Sequence, residues 1–168
     1  MKYRVTKYNP QRRSKLGNYP LDEWTSISDI GEVFLDEIFT LKSYLIKENQ
    51  YLSCINLAID DLKVEVLEIR NLEKNFSFNE IEDKLKDLAS DNYEEIFNDV
   101  NEGVILNKMQ VSQVARLILR ECIWCELVCN KFVLSFGYDY YMYFDEVVFS
   151  QNTIEKMNQI GLFVEKVN

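Results

Sequence analysis

Residues 109–136 (MQVSQVARLILRECIWCELVCNKFVLSF) form the longest apolar stretch of the chain and constrain its fold more than any other segment. Apolar side chains recur there at three- and four-residue steps, which is the period of one helix face. Further apolar residues widen that face until the segment is apolar nearly all round, as in a helix buried on most sides. Charged residues interrupt the stretch too often for a membrane span. The pattern therefore predicts one long, buried helix near residues 110–136.

The remaining segments are predicted to be shorter helices and a few strands. Helical apolar spacing and N-capping residues predict helices at 41–60, 80–89, 93–101 and 154–160, and a short one ending near residue 36. Alternating and aromatic segments predict strands at 3–8, 138–144 and 162–167. Residues 62–72 fit either a strand or a helix, and a strand is favoured. The sequence thus predicts a mainly α domain of the α+β class, with a small β-sheet formed by the N- and C-terminal strands.

The size and charge of the chain limit its partners. The 168 residues fit a single domain, 1–168, and the formal net charge is −9. The first 15 residues carry six Lys or Arg and no acid, so the rest of the chain is more acidic than the total suggests. A strongly acidic body is a poor ligand for nucleic acid, whose phosphates need cations. It attracts basic proteins, although acidity can also serve solubility alone.

The sequence lacks the residue types and motifs on which most enzyme and metal sites depend. The sequence has no histidine, the commonest general base and metal ligand. Cys122, Cys125 and Cys129 have the spacing of one helix face and could approach a metal, but a structural zinc site needs four ligands. Core packing is the favoured role for cysteines. We expect no enzyme activity, no cofactor and no metal. A carboxylate- or thiol-based enzyme or metal-binding protein is the alternative.

The N-terminal segment and the cysteines indicate where the protein acts. Residues 1–10 (MKYRVTKYNP) lack the apolar core of a secretory signal peptide. The four cysteines of a chain that lacks such a signal are expected to be reduced thiols, as in cytosolic proteins. We therefore expect a cytoplasmic protein with no membrane contact.

One acidic segment stands out, at residues 80–102. It holds nine carboxylates against two lysines, a net charge of −7. An ordinary solvated face is one interpretation. If the two helices predicted there are neighbours, their outer faces instead form one negative docking surface for a basic protein. The residues assigned to that partner-binding surface are Glu80, Glu82, Asp83, Asp87, Asp91, Glu94, Glu95 and Asp99.

Both ends of the chain carry a pattern found in a known group of proteins. The matching residues are 7–10 (KYNP), Gly17, Tyr19, 22–31 (DEWTSISDIG), 137–143 (GYDYYMY) and 161–165 (GLFVE). This pattern resembles the small bacterial immunity proteins of polymorphic toxin systems, including those of contact-dependent growth inhibition. Within that group the chain looks most like the mainly helical immunity proteins paired with EndoU-type ribonuclease toxins. The middle of the chain is unmatched.

The resemblance implies a protein without an active site that binds a cognate toxin domain in the cytosol and occludes its cleft. A nuclease cleft must be basic to hold phosphate, so an acidic inhibitor is its complement. The implied partner is therefore a basic toxin C-terminal domain, a ribonuclease by this resemblance, with no direct contact to nucleic acid or membrane. Besides this hypothesis and the enzyme or metal-protein alternative, an oligomeric interaction module is a third possibility.

Overall fold

A seven-stranded antiparallel sheet is the centre of the fold, in a computed structural model that describes residues 1–16, 18–20, 22–88 and 92–167. The strands are β1 (Lys2–Thr6), β2 (Val33–Phe34), β3 (Glu37–Ile38), β4 (Val66–Glu73), β5 (Ile105–Asn107), β6 (Trp124–Val128), β7 (Val133–Phe136), β8 (Tyr141–Asp145) and β9 (Phe163–Val167). The sheet order is β5-β4-β6-β7-β8-β1-β9, and β2 and β3 form a separate hairpin.

Five α-helices accompany the sheet in the described residues. They are α1 (Leu41–Asp61), α2 (Phe78–Ile81), α3 (Tyr93–Asp99), α4 (Lys108–Leu119) and α5 (Gln151–Ile160). Short 3-10 segments occur at Pro10–Arg12, Ile27–Asp29 and Glu82–Leu88. Helix α1 packs against both α4 and α5, and α4 and α5 contact strands of the sheet. None of the helices in the described part of the chain is both long and apolar enough to cross a membrane.

The prediction of one long helix near residues 110–136 is wrong. Helix α4 stops at Leu119 because the backbone of Glu121 turns left-handed, with φ of 58°. The amide of Cys122 then donates to the carbonyl of Leu117 at 2.9 Å, and the amide of Glu121 donates to Ile118 at 2.9 Å. These two bonds satisfy carbonyls in the last turn of the helix, in the pattern called a Schellman motif. Glu121 occupies the left-handed position of that motif, where glycine is usual.

Strands β6 and β7 occupy the second half of the predicted helix. Alternate residues of this hairpin are buried, as a strand period of two requires: Cys125, Leu127, Leu134 and Phe136. A segment that is apolar nearly all round satisfies both the helical and the strand period. Periodicity alone therefore could not separate a buried helix from two buried strands.

The fold is α+β, and the prediction of a mainly α domain with a small sheet is wrong as well. The predicted terminal strands do exist and are neighbours, because β1 lies between β8 and β9. The sheet continues beyond them through β7, β6, β4 and β5. Strand β4 confirms the preference for a strand within residues 62–72.

Several helix ends follow the local signals. Thr40 caps α1 by accepting a hydrogen bond from the amide of Ser43 at 3.2 Å, so the helix begins at the predicted residue 41. Gly161 ends α5 with φ of 103°, so that helix stops at the predicted residue 160. The prediction of a short helix ending near residue 36 is wrong. A 3-10 turn at Ile27–Asp29 leads instead into the β2–β3 hairpin.

Candidate functional site

The acidic segment at residues 80–102 folds as one packed unit. Its pieces are α2, the 3-10 segment Glu82–Leu88 and α3, and each contacts the other two. The rings of Phe78 and Phe97 pack 6.0 Å apart, and Ile81 and Leu85 are buried. In place of the helix predicted at 80–89 the structure has the short helix α2 followed by the 3-10 segment, and these lie beside α3. The N-caps are Ser77, three residues before the predicted start at 80, and Asn92, directly before the predicted start at 93.

The structure places most of the predicted partner-binding residues on the outside of this unit. Those that are exposed are Glu80, Glu82, Asp83, Glu94, Glu95 and Asp99. Asp91 lies outside the described residues. Asp87 differs from the rest, since its side chain is only 21% exposed and is ion-paired.

Some of the exposed carboxylates have local partners. The amide of Ser77 donates to Glu80 at 2.8 Å, and this bond, with one from the Ser77 hydroxyl, lowers the pKa of Glu80. Asn92 Nδ2 donates to Glu95 Oε2 at 2.8 Å. These contacts stabilise helix N-termini and leave the negative charge in place.

Other carboxylates of the unit differ in how much of their charge is compensated. Asp83 forms an ion pair with Lys86. The side chains of Glu82 and Glu94 form no hydrogen bond or ion pair with any residue that the structure describes. Lys86, the partner of Asp83, also interacts with the charge of Glu82. Within the described residues, the unit therefore keeps an excess of exposed carboxylates over lysines.

Asp87 belongs to a buried ionic cluster, defined here as Glu48, Asp87 and Arg120. The fully buried Arg120 donates from Nε to Glu48 Oε1 at 2.6 Å and from Nη1 to Asp87 Oδ1 at 2.6 Å. Partial burial alone would raise the pKa of Asp87, but its hydrogen bonds and charge interaction with Arg120 hold that pKa below its usual range. Asp87 is thus an anchoring residue of the fold rather than a free surface charge.

This ionic cluster fixes the acidic unit to the rest of the molecule. Glu48 lies on α1, and Arg120 caps the C-terminus of α4. Arg120 Nη1 also donates to the backbone carbonyl of Lys84 at 2.7 Å. The segment between α2 and α3 is therefore held in place by a charged side chain, so its exposed carboxylates sit on an ordered support.

Three basic residues near the N-terminus pair with carboxylates outside the acidic unit. Arg4 and Arg13 both pair with Glu165, at 3.0 and 2.8 Å, and Lys2 pairs with Asp145 at 2.9 Å. These ion pairs lie at the β8–β1–β9 side of the sheet, so these three cations do not compensate the carboxylates of the acidic unit.

Residues of the two N-terminal matching segments, 7–10 and 22–31, come together in the structure. The Nζ atom of Lys7 lies 3.3 Å from Glu23 and 4.2 Å from the ring centres of both Tyr8 and Trp24. Burial lowers the pKa of Lys7 to about 8, although the charge of Glu23 opposes that effect. This cluster packs the N-terminal segment against residues 23–24 and gives it a structural role.

A cavity of about 350 Å³ opens beyond the end of α4. Buried apolar residues line its floor, and Glu73, Glu121 and Asp139 stand among its lining residues. Cys122 also lines it, but burial raises the pKa of this thiol to about 11. A nucleophilic cysteine needs the opposite shift, so the cavity does not favour thiol chemistry.

The cysteines do not share a helix face. Cys122 follows α4, Cys125 lies on β6 and Cys129 follows β6. Cys54, Cys122 and Cys125 are fully buried in the hydrophobic core, which confirms core packing for these three. Within the described residues, no group of three or more Asp, Glu, Cys or His side chains could hold a metal ion.

One exposed feature escaped the sequence-based prediction, namely the apolar tip of the β2–β3 hairpin. Val33, Leu35 and Ile38 are each at least 60% exposed there. A usable signal was present: residues 25–41 contain no Lys or Arg and several apolar residues that no helix period explains. Because a short helix was predicted up to residue 36, these exposed apolar residues were not predicted as part of a hairpin.

Comparisons of the chain with protein-family models, with curated proteins and with solved structures found no match.

Proposed function

We propose that this chain is an immunity protein that binds a cognate toxin domain in the cytoplasm and blocks its active-site cleft. The partner is a basic nuclease domain, and the chain inhibits it by binding, with no chemistry of its own. One observation carries the proposal: the acidic unit presents exposed carboxylates, Glu82 and Glu94 among them, that form no ion pair with any described residue.

Charge complementarity supplies the physical basis of the inhibition. A nuclease cleft is lined by cations that hold phosphate, and those cations are attracted to a negative surface. The buried ionic cluster holds the acidic segment in one arrangement, so little ordering is needed on binding. Carboxylates on an ordered support can therefore take the place of phosphates and exclude the RNA.

The sequence resemblance supports the same partner class. Residues at both ends of the chain match the pattern of immunity proteins, and the acidic unit lies in the unmatched middle. This arrangement is consistent with a shared framework that carries a partner-specific surface. EndoU-type ribonuclease toxins are the narrower proposal for the partner.

Co-expression with the toxin domain encoded beside this gene tests the function. We expect the toxin domain alone to arrest growth, and this chain to restore growth and co-purify with the toxin in a stable complex. A variant with Glu82→Lys, Glu94→Lys and Asp99→Lys should protect less well, because it reverses charge on the acidic unit.

A matched control separates local charge from net charge. Asp61→Lys, Glu65→Lys and Glu155→Lys change the total charge equally, at exposed positions outside the acidic unit. This control should retain most of the protection. Failure of the wild-type chain to protect cells or to bind the toxin domain would refute the proposed function.

A further inference from the structure

The β2–β3 hairpin presents large apolar side chains to solvent. Val33 and Leu35 are each 60% exposed and Ile38 is 64% exposed. Ile30 and Leu41, on either side of the hairpin, are also exposed, at 37% each. A contiguous exposed apolar segment of this kind is uncommon on a protein with no partner and marks an interaction site.

The turn of this hairpin is strained in a way that keeps an apolar side chain at the tip. Leu35 and Asp36 both have left-handed backbones, with φ of 50° and 66°. A two-residue turn of this kind favours Asn-Gly, because a side chain with a Cβ is disfavoured at positive φ. Leucine at this position costs stability and gains no burial, since it remains exposed.

The base of the hairpin is rigid. Phe39 is buried, and its ring stacks on Trp24 with the centres 4.3 Å apart. The amide of Gly31 donates to the carbonyl of Phe39 at 2.9 Å, and the amide of Phe39 donates to Glu32 at 2.8 Å. The apolar tip is thus held out on an ordered stem, which lowers the entropy cost of inserting it into a partner.

The surroundings of the hairpin are acidic and join the acidic unit. Exposed Glu32, Asp36 and Glu37 flank the apolar side chains, and residues 25–41 contain no Lys or Arg. A groove of about 330 Å³ lies between the residues that flank the hairpin and the segment 83–87, and its charged lining is mixed: Asp83, Lys84, Lys86 and Asp87. The hairpin, with its own exposed carboxylates, therefore lies next to the acidic unit across a groove of mixed charge.

We propose that the β2–β3 hairpin is the central anchor of the complex with the toxin domain, an inference that rests on the proposed function. Its tip packs against apolar side chains of the toxin domain, while the flanking carboxylates and the acidic unit meet the cations of the basic cleft. Buried apolar contacts at the centre of an interface determine its lifetime, and rim charges determine how fast it forms. Neither feature alone gives tight, specific inhibition.

Paired valine substitutions test this inference against the purified toxin domain. Val33→Asp should increase the dissociation rate of the complex at least about tenfold, as expected for a central anchor. Val148→Asp is the matched control, because Val148 is 65% exposed in a loop outside the hairpin and the acidic unit. It should change the dissociation rate less than about twofold, as is usual away from an interface centre.

Leu35→Gly distinguishes an anchor from a structural element. Glycine removes the strain at φ of 50°, so the variant should be at least as stable as the wild type toward urea. It should nevertheless dissociate from the toxin faster, because it lacks the inserted side chain. This variant also provides the test if Val33→Asp does not fold.

The possible outcomes separate the two proposals. If the wild-type chain does not bind the toxin domain, the proposed function fails. If it binds and the hairpin variants dissociate like Val148→Asp, the hairpin anchor is refuted and the proposed function stands. A wild-type dimer that Val33→Asp converts to a monomer would also refute it, because the tip would then bind a second copy of the chain.

Discussion

Arg120 is the residue on which the placement of the acidic unit depends. Its guanidinium is fully buried between Glu48 and Asp87, and no other described residue pairs with two carboxylates on different elements in this way. The sequence-based prediction treated Arg120 as one charged interruption of a long helix. Its partners are distant in the chain, so local spacing carried no signal for the cluster.

Removing the Arg120 side chain should destabilise the fold strongly. We expect Arg120→Met to lower the free energy of unfolding by about 3 kcal/mol, the lower end for breaking a buried ion pair. Buried Glu48 would keep only a 3.6 Å ion pair with Arg116 and a hydrogen bond from Tyr44. Arg120→Lys should also be destabilising, since an ammonium group cannot donate bidentately to two carboxylates. Urea denaturation followed by circular dichroism measures both effects.

The double variant Arg120→Met with Glu48→Leu is the control for this prediction. It removes both buried charges and should regain much of the lost stability. A loss below about 1 kcal/mol for Arg120→Met, typical of a surface ion pair, would contradict the structural role of the cluster.

The cysteines provide a second prediction at the residue scale. Burial raises the pKa of Cys54 and Cys125 to about 12 and that of Cys122 to about 11. These thiols stay protonated at neutral pH, and only thiolates react readily. With a thiol-titrating disulfide reagent at neutral pH, half-buried Cys129 should react first, and all four thiols should react in urea. Rapid reaction of two or more thiols in the native protein would contradict this.

The elements differ in how well the sequence predicts them. Helix α1 and the end of α5 were predictable because Thr40 and Gly161 are strong local signals. The terminal strands were predictable from alternation and aromatic content. The end of α4 was not, because Glu121 takes a position that normally belongs to glycine, so nothing in the local sequence marked the stop.

The left-handed backbone at Glu121 leads to a prediction about the stability of the protein. We expect Glu121→Gly to raise the free energy of unfolding by roughly 0.5 kcal/mol, because glycine relieves the left-handed strain but costs chain entropy. The variant also loses the half-exposed Glu121–Lys84 ion pair, at 3.4 Å, and the hydrogen bond that Ser26 Oγ donates to Glu121 at 3.0 Å. Both contacts are solvent-exposed, so their loss offsets only part of the gain. Glu121→Val should be destabilising. Urea denaturation of both variants tests this, and a less stable glycine variant would contradict the account of the helix end.

At the scale of the whole molecule, exposed carboxylates are concentrated on the acidic unit and beside the hairpin, although others occur elsewhere. Several N-terminal cations pair outside the acidic unit, as Arg13 does with Glu165. The sequence predicted the location of the acidic unit and most of its exposed residues. It could not predict that Asp87 pairs with buried Arg120, or that an apolar hairpin adjoins the unit, because both depend on contacts between distant segments.

The rate of association with the toxin domain, measured by stopped flow over a series of salt concentrations, tests the central claim most directly. For the wild type we predict fast association that slows steeply as salt rises, because opposite charges steer the encounter. The variant Glu82→Lys, Glu94→Lys and Asp99→Lys should associate at least about tenfold more slowly at low salt, with a flatter salt dependence. The control with Asp61→Lys, Glu65→Lys and Glu155→Lys should show a smaller change. Equal rates and equal salt dependence for wild type and both variants would contradict the claim that the acidic unit captures a basic partner.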